Sequence, residues 1–441
     1  MRGRGSLRFG LAAGAVGLAL VVSACGGGGE TTGSATGGAS ETTQGQTVAV
    51  NESPPTAACG GEPIKVMTIA ALTGQLSAFG SDLPDAAKAA EQSINEGCSL
   101  GRPLEVTVCD DKSTANGSLA CGREADEKKM LALVGQASSP GGSGEGSEAA
   151  RLPAVFNFAA SSWDNTSPLS YPSFPGGLTT AGMVKVAAAR GAKSFTYAGA
   201  ELPSAKLSAE IGKSVAEAEG VDYEELFYPA TQTDTSSVAS QLVSSGTESF
   251  TPTAPALQPF IQSLISAGAN FEKMIYVGGY GILKPKEVSE LYGQGLRGYS
   301  VGSVIGTSVE DNPGIEEMKQ EYEKAGVEFS TDLNVFAVHE WNSIHALALA
   351  LEPLAKSGEI ESLNSEGLVK AVVDHGEYNL PSEAPFDFSK PAKFTNSGLA
   401  KAFGEVRMFT TSLFVYELTE GKEVPVGEAQ DVNEEFEVPS S

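Results

Sequence analysis

Along this chain the spacing of apolar residues switches repeatedly between the unbroken or two-residue pattern of strands and the three-and-four pattern of helices. That alternation sets the fold class. The first complete unit spans residues 64–111. Ile64, Val66, Thr68 and Ile69 form a short apolar, β-branched run ending in Leu72-Thr73-Gly74, as expected of a strand buried on both faces. A loop with one aromatic, Phe79, comes next. A helix then starts at Ser81 or Asp82 with Pro84 in its first turn, carries Ala86, Ala87, Ala90 and Ile94 on one small face, and stops at Gly97. Leu104, Val106 and Val108 make the following strand. Strand, helix and strand predict a right-handed parallel crossover, and open parallel sheets bind ligands beyond the carboxyl ends of their strands. The loop from Thr73 to Ser81 lies at such an end.

The pattern continues with a helix over 116–130, a strand over 131–135, a helix over 145–151 and a strand over 153–158 that runs into Ala159-Ala160-Ser161. A crossing at Leu178 opens a second alternation: helix 181–190, strand 194–197, helix 204–219, strand 225–228, helix 238–244, weak strand 249–251, helix 257–267 and strand 273–277. This last strand leads into Gly278-Gly279-Tyr280-Gly281. Strand 301–304, helices 313–324 and 334–354, and a final strand 409–418 follow, with an acidic end from Glu428 expected to fray. The predicted class is α/β, with two doubly wound parallel-sheet lobes joined by a three-segment hinge. One lobe takes 58–177 and 308–405, the other 178–307 and 406–430, and 431–441 is an acidic tail.

The start of the chain is different. Arg2, Arg4 and Arg8 precede an apolar run over 9–22, which is shorter than the about 20 residues a membrane-spanning helix needs. Val22-Ser23-Ala24-Cys25 then looks like a bacterial lipobox, so 1–24 reads as a signal peptide and Cys25 as an acylated first residue of the mature protein. Several acyl chains on one cysteine, at about 0.8 kcal/mol per buried CH2, would hold the protein at the membrane. Residues 25–57 are rich in Gly, Thr, Ser and Gln and read as a flexible tether with a reach of roughly 30 Å.

The formal charge of −26 lacks the basic footprint that nucleic acid requires. Four cysteines remain after Cys25, and four allow three pairings. If the first two strands are parallel neighbours, Cys59 and Cys98 precede them at the same end of the sheet, while Cys109 ends the second strand. The expected bridges are Cys59–Cys98 and Cys109–Cys121.

The order of an apolar strand, Leu72-Thr73-Gly74, Phe79-Gly80, an Ala-rich helix ending Ile94-Asn95-Glu96-Gly97, the run LGRPLEV at 100–106 and the acidic pair Asp110-Asp111 resembles the solute-binding proteins of ABC importers, in particular the branched-chain amino acid binding family. The resemblance implies a type I periplasmic-binding-protein fold. It also implies a monomer that captures a small solute by lobe closure and hands it to a membrane permease, here from the outer face of a bacterial cell membrane. Carried onto this chain, it places Ser138, Ser139 and the Ala159, Ala160, Ser161 turn around the ligand's α-carboxylate and α-ammonium, with Phe79 over its side chain. Loop hydroxyls and helix N-termini suit an anion, although the same serines also suit plain helix capping. The chain departs from the family at Tyr280 and Thr179, where relatives carry acids. A phenol is neutral at pH 7. An apolar, amide-like or carboxylate ligand therefore stays open beside an amino acid.

Other chemistries find little support. Gly141, Gly142, Gly144 and Gly146 are not followed by GK[ST], so a phosphate loop is rejected. His339, Glu340 and His345 are spaced HExxxxH rather than HExxH, His375 is isolated, and GxSxG is absent. No catalytic role, metal or cofactor is expected. A ligand-sensing clamp acting with a separate receptor partner is the alternative. Trp163, just past a ligand loop, suits either a cleft wall or simple packing.

Overall fold

The structure is a computed structural model that describes residues 46–49, 59–135, 144–174, 176–253, 257–304, 312–404 and 407–438. Cys25, Ser138 and Ser139 lie outside the described residues. The first run of elements is β1 (Gln46–Ala49), β2 (Ile64–Ala70), α1 (Ser77–Gly80), α2 (Leu83–Gly97), β3 (Leu104–Asp110), α3 (Ala115–Glu127), β4 (Ala132–Val134), α4 (Gly144–Ala150), β5 (Ala154–Phe158), α5 (Ser162–Thr166) and β6 (Ser170–Phe174). Its strands form one sheet in the order β1-β3-β2-β4-β5-β6, parallel throughout except for β1 on the edge.

The second run is α6 (Gly176–Ala189), β7 (Ser194–Ala200), α7 (Pro203–Glu219), β8 (Asp222–Tyr228), α8 (Ser236–Ser245), β9 (Ser249–Thr253), α9 (Leu257–Ser266), β10 (Ile275–Gly279), α10 (Pro285–Gly293) and β11 (Gly298–Gly302). The chain then adds α11 (Pro313–Lys324), α12 (Val335–Ser357), α13 (Ser365–His375), the short strands β12 (Glu377–Tyr378) and β13 (Phe386–Asp387), α14 (Ser397–Phe403), β14 (Ser412–Thr419), β15 (Lys422–Pro425) and β16 (Gln430–Asp431). The second sheet runs β15-β14-β11-β10-β9-β7-β8, with β14 antiparallel to β11.

Burial on both faces explains the strand compositions. Along β2, Ile64 and Val66 pack toward α2, α11 and α12, while Met67 and Ile69 pack toward the side of α3 and α4 with Cys109 and Cys121. Successive residues point to opposite faces, so a strand wrapped by helices on both sides is apolar nearly throughout, and its one buried polar residue, Thr68, is hydrogen-bonded. Both expected disulfides are present: Cys59–Cys98 with Cα atoms 5.4 Å apart and Cys109–Cys121 at 5.8 Å. Cys98 caps α2 in the left-handed region (φ 46°), which turns the chain back toward the start of β2.

Several expectations need correction. Part of the predicted tether, Gln46–Ala49, is a strand that pairs with the edge of β3. Strand β6 was not anticipated, because Ser170, Pro172 and Ser173 break its apolar run; its backbone nevertheless pairs with β5. Leu178 and Thr179 lie inside α6 and not in a crossing. Helix α14 falls in the stretch assigned to the first lobe but packs on α7, where Lys401 pairs with Glu217 and Asn396 donates to Glu219. The acidic end is not frayed over its described part: β16 pairs with β14, and Val432 and Phe436 are buried with Val301 and Leu413. Two apolar anchors outweigh the acidic composition there.

Candidate functional site

The strand ends of the two sheets share a cavity of ≈ 190 Å³. One wall comes from elements of the first sheet and its helices: Leu76 and Phe79 at α1, Phe158, Ala159 and Ala160 at the end of β5, Phe174 on β6 and Phe336 on α12. The four phenylalanines form a cage. Phe336 stands at its centre, with ring centroids 5.4 Å from Phe79, 5.3 Å from Phe158 and 5.6 Å from Phe174, and Phe158 lies 5.1 Å from Phe174. The rings meet edge-on or tilted, the arrangement their quadrupoles favour.

An irregularity in β5 aims two of its aromatics. Phe156 sits at φ 55°, and the register against β6 slips on either side of Asn157. A bulge of this kind redirects neighbouring side chains. Phe156 enters a buried aromatic cluster with Tyr378 and Phe388, whereas Phe158 enters the cavity. Behind them, His339 Nε2 donates to Phe156 O at 2.9 Å, since a carbonyl can only accept, and His339 Nδ1 lies 3.1 Å from Glu383 Oε1. His345 is held elsewhere, 2.9 Å from Glu321. The two histidines of the HExxxxH pattern thus face different partners.

The opposite wall belongs to the second sheet. It carries Thr179, Thr180 and Met183 from α6, Ser204 and Ser208 from α7, Tyr197 from β7 and Thr253 from β9, together with Leu202, Leu257, Ile282 and Val301. Thr253 Oγ1 donates to the Tyr197 hydroxyl at 2.9 Å, and the Ser208 hydroxyl lies beside it. Burial pushes the Tyr197 phenol up to about 12, so it stays neutral at physiological pH. No Asp, Glu, Lys, Arg or His side chain lines the cavity among the described residues.

Of the residues singled out from sequence, Phe79, Ala159, Ala160, Thr179 and Tyr280 line this cavity. Ser161 does not. Its hydroxyl accepts from Asp164 N and bonds Asp164 Oδ2 at 2.7 Å in a capping box for α5, the capping alternative raised above. Trp163 packs beside Ala150 and Leu152, away from the cavity. Tyr280 is only 4 % exposed. Its ring stacks on Tyr416 at 3.7 Å, and Gly302 leaves the space it needs, because a Cβ there would stand 2.9 Å from Tyr280 Cβ. An acid does reach this turn, but from behind: Glu423 on β15 accepts from Gly281 N at 3.3 Å. Sequence reasoning missed Phe158, Phe174, Phe336, Tyr197, Ser208 and Thr253. Phe336 was visible only as one apolar position of a helix.

The rims of the two walls touch. Lys284 at the start of α10 pairs with Asp82 before α2 at 3.2 Å. Val335 N donates to Gly281 O at 3.2 Å, and Lys286 N donates to Asp332 Oδ1 at 3.0 Å. These bonds tie both flanks of the first wall to the segment carrying Tyr280 and Ile282.

With this geometry in view, comparison with known proteins is informative. A family model described as periplasmic binding protein matches residues 63–402. No curated protein sequence matches the chain. Among solved structures, a branched-chain amino acid ABC transporter protein from Thermus thermophilus with bound valine is 16 % identical, with a TM-score of 0.68, 84 % of this chain and 97 % of that one being covered. An ABC transporter solute-binding protein from R. palustris in complex with benzoate is 15 % identical at TM-score 0.65, covering 84 % and 98 %. A fatty acid ABC transporter substrate-binding protein from Thermomonospora curvata is 15 % identical at 0.61, covering 86 % and 96 %. At such identities the likeness speaks for the fold. No helix among the described residues is long and apolar enough to cross a membrane.

Proposed function

The chain belongs to the periplasmic binding protein family, and from that premise we propose that it captures a small, largely apolar solute in the cavity between its two sheets and delivers it to an ABC importer. The observation that carries this reading is the lining: four phenylalanines on one side, hydroxyls on the other, and no ionised side chain among the described residues. Burying an ammonium with no counter-charge is costly, whereas a hydrocarbon or aromatic body gains about 25 cal/mol for each Å² withdrawn from water. An apolar carboxylate or a neutral apolar solute therefore suits the site better than a zwitterionic amino acid. The two sheets act as the two lobes of a clamp. Open and closed forms differ by the few rim contacts and by what the solute itself bridges, so solute selects the closed form through its higher affinity for it. Cys25 carries the lipid that keeps the clamp at the membrane, and the residues between Cys25 and β1 tether it.

The test is a thermal-shift screen of the purified protein against branched-chain and aromatic amino acids, aromatic and aliphatic carboxylates, amides and sugars. A solute present at 100 times its Kd adds about 2.7 kcal/mol of stability. A rise in midpoint with apolar carboxylates or amides is expected. A response to sugars alone would contradict the reading.

A further inference from the structure

We propose that Tyr197, Thr253 and Ser208 form a polar subsite in the second wall that takes a neutral hydrogen-bonding group of the solute, a hydroxyl or carbonyl, distal to the part held by the phenylalanine cage. The inference rests on the cavity being the solute site and names the second pole of that solute.

Three observations carry it. The first is placement. Strands β7 and β9 are parallel neighbours with Gly199 opposite Thr253, and Tyr197 and Gly199 share a face because side chains alternate along a strand. Tyr197 is 1 % exposed and lines the cavity, and Thr253 Oγ1, also in the lining, donates to its hydroxyl. The second is that the strand makes room for the cluster. A Cβ at Gly199 would lie 2.5 Å from Thr253 Oγ1 and 3.1 Å from Tyr197 Cε1, so any side chain there would displace the pair.

The third is a count of protons. Three hydroxyls bring three protons, and one of these, on Thr253, goes to the Tyr197 oxygen. At least one proton is left over, with lone pairs beside it. The flanking lining, Met183, Leu202, Ala205 and Leu257, offers apolar surface. A hydrocarbon end pressed against this cluster would leave a buried donor unmatched, whereas a hydroxyl or carbonyl on the solute would satisfy it. With no charged side chain in the lining among the described residues, nothing in this subsite calls for an ionised group. Among the described residues the phenylalanine side of the lining carries no hydroxyl, so the solute should bind in one direction.

The experiment uses pairs of compounds that differ by one terminal hydroxyl: benzoate and 4-hydroxybenzoate, hexanoate and 6-hydroxyhexanoate, phenylalanine and tyrosine. Each is titrated calorimetrically into the wild-type protein and into Tyr197→Phe, Thr253→Val and Ser208→Ala. The expected result is a preference of about tenfold or more for the hydroxylated member of at least one pair. The ratio of the two affinities should fall toward one in Tyr197→Phe and Thr253→Val. Ser208→Ala, on a partly exposed helix turn, guards against a folding defect in the strand variants and should lose part of the same ratio. Equal or tighter binding of the hydroxyl-free member in every pair that binds overturns the subsite, as does a preference that survives all three substitutions. If no pair binds while another solute still makes the protein more compact in X-ray scattering, the ligand class named here is wrong and the capture function stands. If no solute binds or compacts the protein, the capture function itself fails.

Discussion

Asp82 and Lys284 pair, Oδ2 to Nζ at 3.2 Å, one at the start of α2 and the other at the start of α10. Both side chains are partly solvated, so the pair is worth only about 0.2 to 1 kcal/mol. If the two sheets act as the proposed clamp, the pair forms only when the rims meet and adds its small energy to the closed form alone. Lys284→Met should weaken solute affinity by roughly 1.5- to 5-fold. Calorimetric titration at low and high salt checks this: wild type should lose affinity as salt rises, and the variant should be less sensitive.

Phe336 touches three other rings of the cage and is almost fully buried. Phe336→Ala is expected to cost about 3 to 5 kcal/mol of stability, since removing a buried ring loses both its transfer energy and its packing partners. Denaturant titration measures the loss. An effect below about 1 kcal/mol would mean that the cage rings are not packed as described.

Glu340 is fully buried on α12. Thr68 Oγ1 lies 3.0 Å from Val134 O and 2.6 Å from Glu340 Oε1. The Thr68 hydroxyl is shared between the Val134 carbonyl and the Glu340 carboxyl, and no cation pairs with Glu340 among the described residues. Burial holds its carboxyl well above the usual carboxylate range, and the Thr68 bond offsets this only in part. Glu423, beneath the Gly281 turn, is likewise pushed up by burial, to about 7. For both groups the folded pKa exceeds the unfolded value. The stability they contribute is full below about pH 4.5, and it is lost as pH rises through the folded pKa. For Glu423 that decline ends near pH 7; for Glu340 it continues above. Glu423→Gln should flatten the decline between about pH 4.5 and 7, and Glu340→Gln should flatten it at higher pH as well. Melting temperatures across pH 4 to 9, on the order of one measurement per unit, check both slopes.

The two disulfides both lie in the first sheet and its helices, closing loops with sequence separations of 39 and 12. Each is expected to contribute roughly 3 to 4 kcal/mol by restricting the unfolded chain. Unfolding in denaturant with and without reductant should show a drop of that order. Cys59→Ser with Cys98→Ser should report the longer loop separately.

Residues with a local job were legible in the sequence. The β2-α2-β3 unit followed from Ile64, Val66, the Ala face and Gly97, and the cysteine pairing followed from strand order alone. Helix α11 starts at Pro313 and ends at Lys324, as its pattern indicated. What remained hidden depended on tertiary register. Ser161 has the same local context as a ligand serine, and only Asp164 three residues on shows that it caps a helix. Thr253 closes a strand that looked weak, and its role appears only when β9 lies beside Tyr197 on β7. Phe174 sits on a strand whose Ser and Pro content masked it. The acid near the Tyr280 turn comes from residue 423, far along the chain, where no local pattern could associate it with β10.

The central proposal is that the site takes an apolar body and, among the described residues, offers no counter-charge to an ammonium. It is tested most directly by calorimetric titration of matched pairs that differ by the amino group: leucine against 4-methylpentanoate, and phenylalanine against 3-phenylpropanoate. The account predicts that at least one deaminated acid binds, at least about tenfold more tightly than its amino acid, because an unpaired buried ammonium costs more than 1.4 kcal/mol. Tighter binding of the amino acid in either pair would contradict it and would place an anionic partner for the ammonium within reach of the cavity.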